Sequence, residues 1–185
     1  MDIQLTFSDV TKAEATMIST TEPGQVFEGI LTYGGYPSFK FDKTQTYDQQ
    51  IQSFTSNAQE RMAHSLLENE IVLPSKIIAE GISFVYCVID YPLEEEAYIK
   101  VSFPSPKSIT NYELLAIHAK VYQYIYEIEN TTFPDPGTVP GMLNRAKSHG
   151  KYGIWGHYLE DLIYNSSGGV KIYNNFIFCE FDVDS

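Results

Sequence analysis

Residues 144–161 hold the chain's densest group of side chains that could bind a ligand or carry out chemistry. The segment reads NRAKSHGKYGIWGHYLED and contains the single tryptophan and two of the four histidines. It also contains three cations of an otherwise acidic chain, Arg145, Lys147 and Lys151, which we name the basic island. We predict that a binding site in this chain uses the following residues of the segment: Arg145, Lys147, His149, Lys151, Trp155, His157 and Asp161.

His157 and Asp161 are four residues apart, which would place them on one face of a helix. An imidazole oriented by a carboxylate is the core of general base catalysis and of many metal sites. Such a site would also need a third ligand or a nucleophile, and the spacing indicates neither. A surface ion pair or a helix cap explains the same spacing, so we predict no metal and no cofactor here.

The basic island could instead bind a carboxylate or a phosphate, because lysine and arginine donate charge-assisted hydrogen bonds to both. Trp155 or Tyr152 would then offer an apolar or cation–π wall. Alternatively, the cations offset nearby acids such as Glu160 and Asp161, and the segment is a structural corner. A half-exposed Trp155 beside a concavity would favour binding, whereas a buried Trp155 with the cations bridging to acids would favour structure.

Motifs that would name a catalytic or cofactor-binding activity are absent from the sequence. It has no Walker-type loop, Rossmann glycine fingerprint, nucleophile elbow, CxxC pair or HExxH motif. Glycines at 150, 153 and 156 recur every third residue, which is not the spacing of a phosphate cradle. They indicate turns or close packing around Trp155.

The charge of the chain restricts its partners. It carries 12 Lys and Arg against 24 Asp and Glu, a formal net charge of −12. Phosphates of nucleic acids and anionic membrane surfaces are therefore repelled. Acidity can simply maintain solubility, or it can attract a basic protein partner. The acidic loop, defined as Asp90, Glu94, Glu95 and Glu96, is either a solvated turn or the landing site for that partner.

The sequence also predicts a cytoplasmic location. Cys87 and Cys179 lie far apart in apolar, strand-like runs and are read as small buried hydrophobes in a reducing compartment. The N-terminal residues show no signal-peptide pattern, and the longest uncharged apolar run, residues 81–89, is too short to cross a bilayer.

Two long helices are expected. Thr46 with Gln49, and Thr110 with Glu113, form capping-box patterns at the start of apolar stripes. The helices should span about 47–69 and about 110–130, and the second, apolar nearly all round, should be the more buried. A short helix around 142–148 and one or two helical turns within 158–164 are predicted near the C-terminus.

Strands are expected in the remaining apolar runs. The first forty residues are interpreted as strands broken by turns, with strand candidates at residues 3–7 and 26–33. Residues 82–89 should form a central strand covered on both faces, paired in a hairpin with residues 98–103. Pro104 and Pro106 should end that sheet segment, residues 165–169 should turn the chain, and residues 171–182 are strand-like. The prediction is a single α+β domain over residues 1–185, with a mainly antiparallel sheet packed against the two long helices.

These features favour an acidic, cytoplasmic protein-interaction module that binds a basic protein partner. An inhibitor or immunity-type protein that masks a toxic enzyme would be one form of it. The alternative is a small-molecule enzyme or ligand-binding protein with a site around residues 145–161, which requires a pocket that brings these side chains together.

Overall fold

The computed structural model describes residues 3–21, 25–26, 39–62 and 76–185. Within these ranges, one sheet of six strands has the order β1-β4-β3-β6-β5-β2. The strands are β1 Thr6–Val10, β2 Gln25–Val26, β3 Ile77–Ile89, β4 Ala97–Thr110, β5 Ile163–Ile172 and β6 Phe176–Asp184. The helices are α1 Lys12–Thr21, α2 Tyr47–Met62 and α3 Asn111–Thr132, with one turn of 3₁₀ helix at Leu159–Asp161.

The α+β class is confirmed, but the sheet is mixed. Strand β6 runs parallel to β3, whereas the pairs β1–β4, β3–β4, β5–β6 and β2–β5 are antiparallel. Apolar periodicity predicts where a strand lies and which face it buries, but it carries no information about strand direction. The interpretation of the first forty residues as strands broken by turns is also wrong in part, because α1 forms at Lys12–Thr21.

The central hairpin forms as predicted, yet its second strand is longer than expected. Strand β4 continues through Pro104 and Pro106 to Thr110, so these prolines do not end the sheet. Strand β1 pairs with β4 only as far as Ser102, and the β3–β4 register shifts between Ile82 and Phe84. Proline is tolerated there because an edge or a bulge does not need its missing N–H group.

The C-terminal third differs most from the sequence-based expectation. The helix predicted around 142–148 is wrong, because Arg145 forms isolated β-bridges with Thr138 and Gly156. Residues 165–169 do not turn the chain, since they lie within β5, whose register with β6 shifts between Tyr164 and Gly168. The chain turns later, where the amide of Tyr173 donates to the carbonyl of Phe176 at 2.9 Å.

Helix α3 is the central element of the core. It begins with the predicted capping box, in which the Glu113 amide donates to Thr110 Oγ1 at 3.3 Å. The Glu113 carboxylate also accepts from the Tyr47 hydroxyl at 2.6 Å, which ties the start of α2 to the start of α3. The smaller box at Thr46 and Gln49 is present as predicted, and the end of α2 predicted beyond residue 62 lies outside the described residues.

Two cysteines and a histidine are buried in the core, in their uncharged forms. Cys87 and Cys179 are register partners on β3 and β6, with their sulfur atoms 3.5 Å apart as free thiols. Burial raises the pKa of the Cys179 thiol. Burial also lowers the pKa of His118 to about 3, and its Nδ1 lies 3.0 Å from the Tyr164 hydroxyl, so the imidazole is neutral.

Of the helices in the described ranges, none has both the length and the apolar character needed to cross a membrane.

Replacing Thr110 with Ala should lower the free energy of unfolding by about 1 kcal/mol, because the Glu113 amide loses its cap. Urea denaturation followed by far-ultraviolet circular dichroism measures the loss. Thr110→Ser keeps a capping hydroxyl and should differ from the native chain by less than about 0.5 kcal/mol. Equal losses in the two variants would show that the hydroxyl is not what stabilises the start of α3.

Candidate functional site

Segment 144–161 is folded around the carboxylate of Glu129, in the last turn of α3. This side chain is fully buried. Its Oε1 accepts from Ser148 Oγ at 2.5 Å and from the Gly150 amide at 2.9 Å, while its Oε2 accepts from the Tyr152 amide at 2.7 Å. A buried carboxylate is stable when such donors surround it. The segment therefore has a fixed shape despite having little regular secondary structure.

The protonation of Glu129 reflects these contacts. Burial by itself would raise the pKa of Glu129, but hydrogen bonds from Ser148 and from the amides of Tyr152, Gly150 and Gly153 outweigh burial and lower it. The ionised form is therefore the one that the segment is built to hold.

Gly150 is required by the same close packing. A Cβ atom at this position would lie 2.6 Å from Thr132 Oγ1 and 2.7 Å from the carboxyl carbon of Glu129. Both neighbours belong to the end of α3 and are held by other hydrogen bonds. The glycine thus lets the segment approach the helix closely enough for its amides to reach the carboxylate.

Arg145 is separated from the rest of the basic island by burial, with only 2% of its surface exposed. Its Nη1 donates to Ser148 Oγ at 3.2 Å and to the Ile154 carbonyl at 3.0 Å. Its Nη2 has no hydrogen-bond partner within the described part of the chain. Arg145 also lines a cavity of about 270 Å³ beside the C-terminal half of α3.

The two lysines of the basic island pair with acids from distant parts of the chain. Lys147 Nζ lies 3.0 Å from Glu94 Oε1, and Lys151 Nζ lies 2.5 Å from Asp9 Oδ2. The Tyr152 hydroxyl donates to the other oxygen of Asp9 at 2.6 Å. Burial opposes ionisation of Asp9, but these hydrogen bonds and the charge of Lys151 lower its pKa. The lysines thus join segment 144–161 to the acidic loop and to β1.

The acidic loop lies directly against segment 144–161. The Glu94 amide donates to the Tyr152 carbonyl at 3.2 Å, and the Trp155 amide donates to the Pro92 carbonyl at 3.0 Å. The indole Nε1 of Trp155 donates to the Leu93 carbonyl at 3.3 Å. The four acids of the loop are all exposed. A groove of about 670 Å³ runs between the loop and residues 150–153, with Asp9 and Lys12 also on its walls.

Trp155 is 43% exposed, although its neighbours hold it in place. Its ring packs edge-on against Tyr91 with centroids 5.6 Å apart, and Tyr91 in turn packs against the His157 ring. Each of the two alternatives for this segment is met only in part, because Trp155 is half-exposed but does not line the groove, and both lysines bridge to acids although the tryptophan is not buried. The segment therefore presents an aromatic side chain that contacts from within the fold hold in place.

His157 and Asp161 do not form the predicted pair. Only one turn of 3₁₀ helix forms here, and His157 precedes it. His157 Nε2 lies 3.0 Å from Ser185 Oγ, whereas Asp161 Oδ2 accepts from the Tyr158 amide at 2.9 Å. Both residues line an open surface depression of about 430 Å³. His149 is exposed and packs edge-on against Phe133.

Metal ligation receives no geometric support within the described ranges, where no group of three or more His, Cys, Asp or Glu side chains is placed to hold an ion.

Sequence reasoning did not identify Glu129, Ser148 or Asp9 as parts of this site. For Glu129 a signal was present, because it lies three and four residues after Tyr126 and Ile125 on the apolar face of α3. An acid at a core position needs buried donors. No comparable signal marks Asp9, whose partner is 142 residues away.

Gly150→Ala should lower the free energy of unfolding by about 1–3 kcal/mol, because the new methyl group overlaps Thr132 and Glu129. Gly169→Ala is the matched control, since a Cβ atom there meets no atom within 4 Å. The control should stay within about 0.5 kcal/mol of the native chain. Chemical denaturation compares the three proteins, and similar losses in both variants would contradict close packing at residue 150.

Glu129→Gln should lower the free energy of unfolding at pH 7 by about 2–3 kcal/mol, because an amide nitrogen must then face a donor. The folded-state pKa of Glu129 is lowered, so its carboxylate stabilises the fold above the unfolded pKa of about 4.3. That stabilisation is lost as the pH falls through the folded-state pKa. The difference in the free energy of unfolding between the native chain and Glu129→Gln should therefore shrink in acid. Denaturation curves from pH 7 to pH 3 measure this difference. A difference that stays constant over this range would contradict the prediction.

No protein-family model matches the chain, and neither a curated protein nor a solved structure is significantly similar to it. The function must therefore be argued from the geometry of these residues.

Proposed function

We propose that this protein is an acidic, cytoplasmic interaction module whose exposed acidic–aromatic face binds a basic protein partner. The face consists of Trp155, Tyr91 and the acidic loop. One observation carries the proposal: the half-exposed Trp155 is fixed by two hydrogen bonds to the same turn that carries the acidic loop. Tryptophan and tyrosine are enriched at the energetic centres of protein interfaces, where fixed rings lose little entropy on binding.

The charges around Trp155 supply complementarity to a basic surface. Glu94 and Glu96 each contact one lysine, yet their side chains remain 56% and 45% exposed. Asp90 and Glu95 are exposed at the same turn. Exposed ion pairs are weak, so a partner's arginine or lysine can compete for these carboxylates. The formal net charge of −12 would speed the encounter with a basic partner and repel nucleic acids.

The groove beside the acidic loop gives such a partner room to insert a side chain. Its walls carry Asp9, Glu94, Glu95 and Glu96 against two lysines, Lys12 and Lys151. A basic side chain in this groove would lie next to an excess of carboxylates, while an apolar neighbour could cover Trp155. An inhibitor or immunity-type protein that masks a basic enzyme is one form that fits this arrangement.

The geometry gives little support to the alternative function, an enzyme centred on His157 and Asp161. The imidazole has no orienting carboxylate among its described contacts, and the depression that it lines is open to solvent. General base catalysis needs an oriented base beside a site where a substrate can be held.

Capture of partners on the immobilised protein tests the proposal. A basic protein should bind the native chain at about 50 mM salt and be released at about 300 mM, as expected for exposed charges. With that protein purified, Trp155→Ala should weaken binding by about thirtyfold and Glu95→Lys by about fivefold. Binding of the basic protein that depends on neither Trp155 nor Glu95 would refute the assigned face, and failure to capture any salt-sensitive basic protein would count against the function.

Glu80→Lys is the matched control for the charge reversal. Glu80 is exposed on β3, nine residues and about 30 Å along the strand from Ile89, which adjoins the acidic loop. The substitution Glu80→Lys changes the net charge by the same amount as Glu95→Lys. Because Glu80 lies away from the acidic loop, the substitution should reduce binding only slightly. Equal losses in the two lysine variants would mean that overall charge, rather than this face, determines binding.

A further inference from the structure

Arg145 is a buried cation that no carboxylate among the described residues contacts directly, since Ser148 lies between its guanidinium and the Glu129 carboxylate. Arginine is charged at every working pH, and an uncompensated buried charge is strongly unfavourable. Within the described ranges, the ion pairs that form involve lysines, and no carboxylate oxygen lies within 4.0 Å of the Arg145 guanidinium. Ser148 and the Ile154 carbonyl use Nη1, and the Tyr126 ring lies 6.0 Å away, which leaves Nη2 without a partner.

Arg145 lines a cavity with the small part of its surface that is exposed, so an anion would approach its guanidinium from there. Its volume is about 270 Å³, and the residues that line it include Tyr126, Tyr158 and Asn130. Aromatic walls with a few polar groups are typical of small-molecule sites, and this volume suits a ligand of amino-acid size. A carboxylate matches the guanidinium in shape and charge, and one of its oxygens placed at Nη2 would complete the hydrogen bonding of the arginine.

The other charges of the cavity decide what else the ligand must carry. Three carboxylates line it, and two of them are paired: Glu160 with Lys40 at 2.9 Å and Glu127 with Lys43 at 2.8 Å. Asp135 is exposed and accepts only from the Gly137 amide, at 2.9 Å, among its described contacts. A multiply charged anion such as phosphate would be repelled by this set, whereas an ammonium group would be attracted to Asp135.

We infer that this cavity binds a small zwitterion, with its carboxylate on Arg145 and its ammonium group toward Asp135. A free amino acid is the simplest molecule of this class. Binding would place an anion against a buried arginine and use Asp135, the cavity carboxylate for which the described residues provide no lysine partner. The inference does not depend on the proposed protein-binding face, because Trp155 and the acidic loop do not line this cavity.

Nuclear magnetic resonance of the full chain, labelled with ¹⁵N, tests the inference through the side-chain signals of Arg145. The probes are neutral L-amino acids and 4-aminobutyrate, with acetate, methylammonium and inorganic phosphate as partial mimics. We expect at least one zwitterion to shift the Arg145 signals saturably and to bind at least about tenfold more tightly than acetate or methylammonium. Phosphate as the tightest probe, or no saturable shift with any zwitterion up to about 50 mM, would overturn the inference.

Variants then separate the two ends of the ligand. Arg145→Lys keeps the charge but loses the planar fork, and should weaken zwitterion binding by at least about tenfold. Because a buried arginine also supports the fold, Asp135→Asn provides a second test: its amide oxygen can still accept from Gly137. This variant should weaken zwitterion binding by about fivefold and leave acetate binding unchanged.

Asp90→Asn is the matched control for Asp135→Asn. Asp90 is likewise exposed and accepts from a backbone amide, that of Tyr91, at 2.7 Å, but it does not line the cavity. Zwitterion affinity should be the same in this variant as in the native chain. Equal weakening by both substitutions would show that net charge, and not the cavity, governs the effect, and would overturn the assignment of Asp135.

Discussion

The buried carboxylate of Glu129 is the interaction on which the C-terminal part of the structure depends. Its hydrogen bonds with Ser148, Gly150 and Tyr152 replace the regular backbone ladder that segment 144–161 lacks. An ionised carboxylate in the interior is unfavourable unless donors surround it, so the helix end and the segment must fold together. Ser148 extends this network, because it also contacts the guanidinium of Arg145. A single charge at the end of α3 therefore fixes both the path of the segment and the position of its buried cation.

The acidic–aromatic face follows from that fixed path. Once Tyr152 is held by Glu129, its carbonyl can accept from the Glu94 amide and its hydroxyl can donate to Asp9. Trp155 then reaches the turn between β3 and β4, where its amide and its indole nitrogen find carbonyl partners. The exposed indole is thus held in place by hydrogen bonds to the carbonyls of Leu93 and Pro92. Rigid, amphipathic rings suit a binding surface, because little side-chain entropy is lost when a partner covers them.

Local signals in the sequence predicted some elements and could not predict others. The start of α3 was readable because Thr110 and Glu113 cap it through contacts three residues apart. The β3–β4 hairpin was readable from alternation. By contrast, Pro104 and Pro106 are compatible with β4 because β1 begins at Thr6, opposite Ser102, and because the β3–β4 register shifts there, and both are properties of the tertiary fold. Likewise, Asp9 and Glu94 reach segment 144–161 through pairings that no local pattern contains.

The basic island and the acidic loop lie in contact with each other, although the sequence was interpreted as two separate sites. A basic anion site and an acidic partner site were expected in separate places, but Lys147 contacts Glu94 of the acidic loop itself. Exposed pairs of this kind contribute little and exchange readily, so the lysines moderate the acidic face without cancelling it. Arg145 differs because it is buried, where the dielectric is low and an unsatisfied nitrogen is costly. Burial therefore divides the basic island into two surface cations, which pair with Glu94 and Asp9, and one interior cation, whose Nη2 has no hydrogen-bond partner among the described residues.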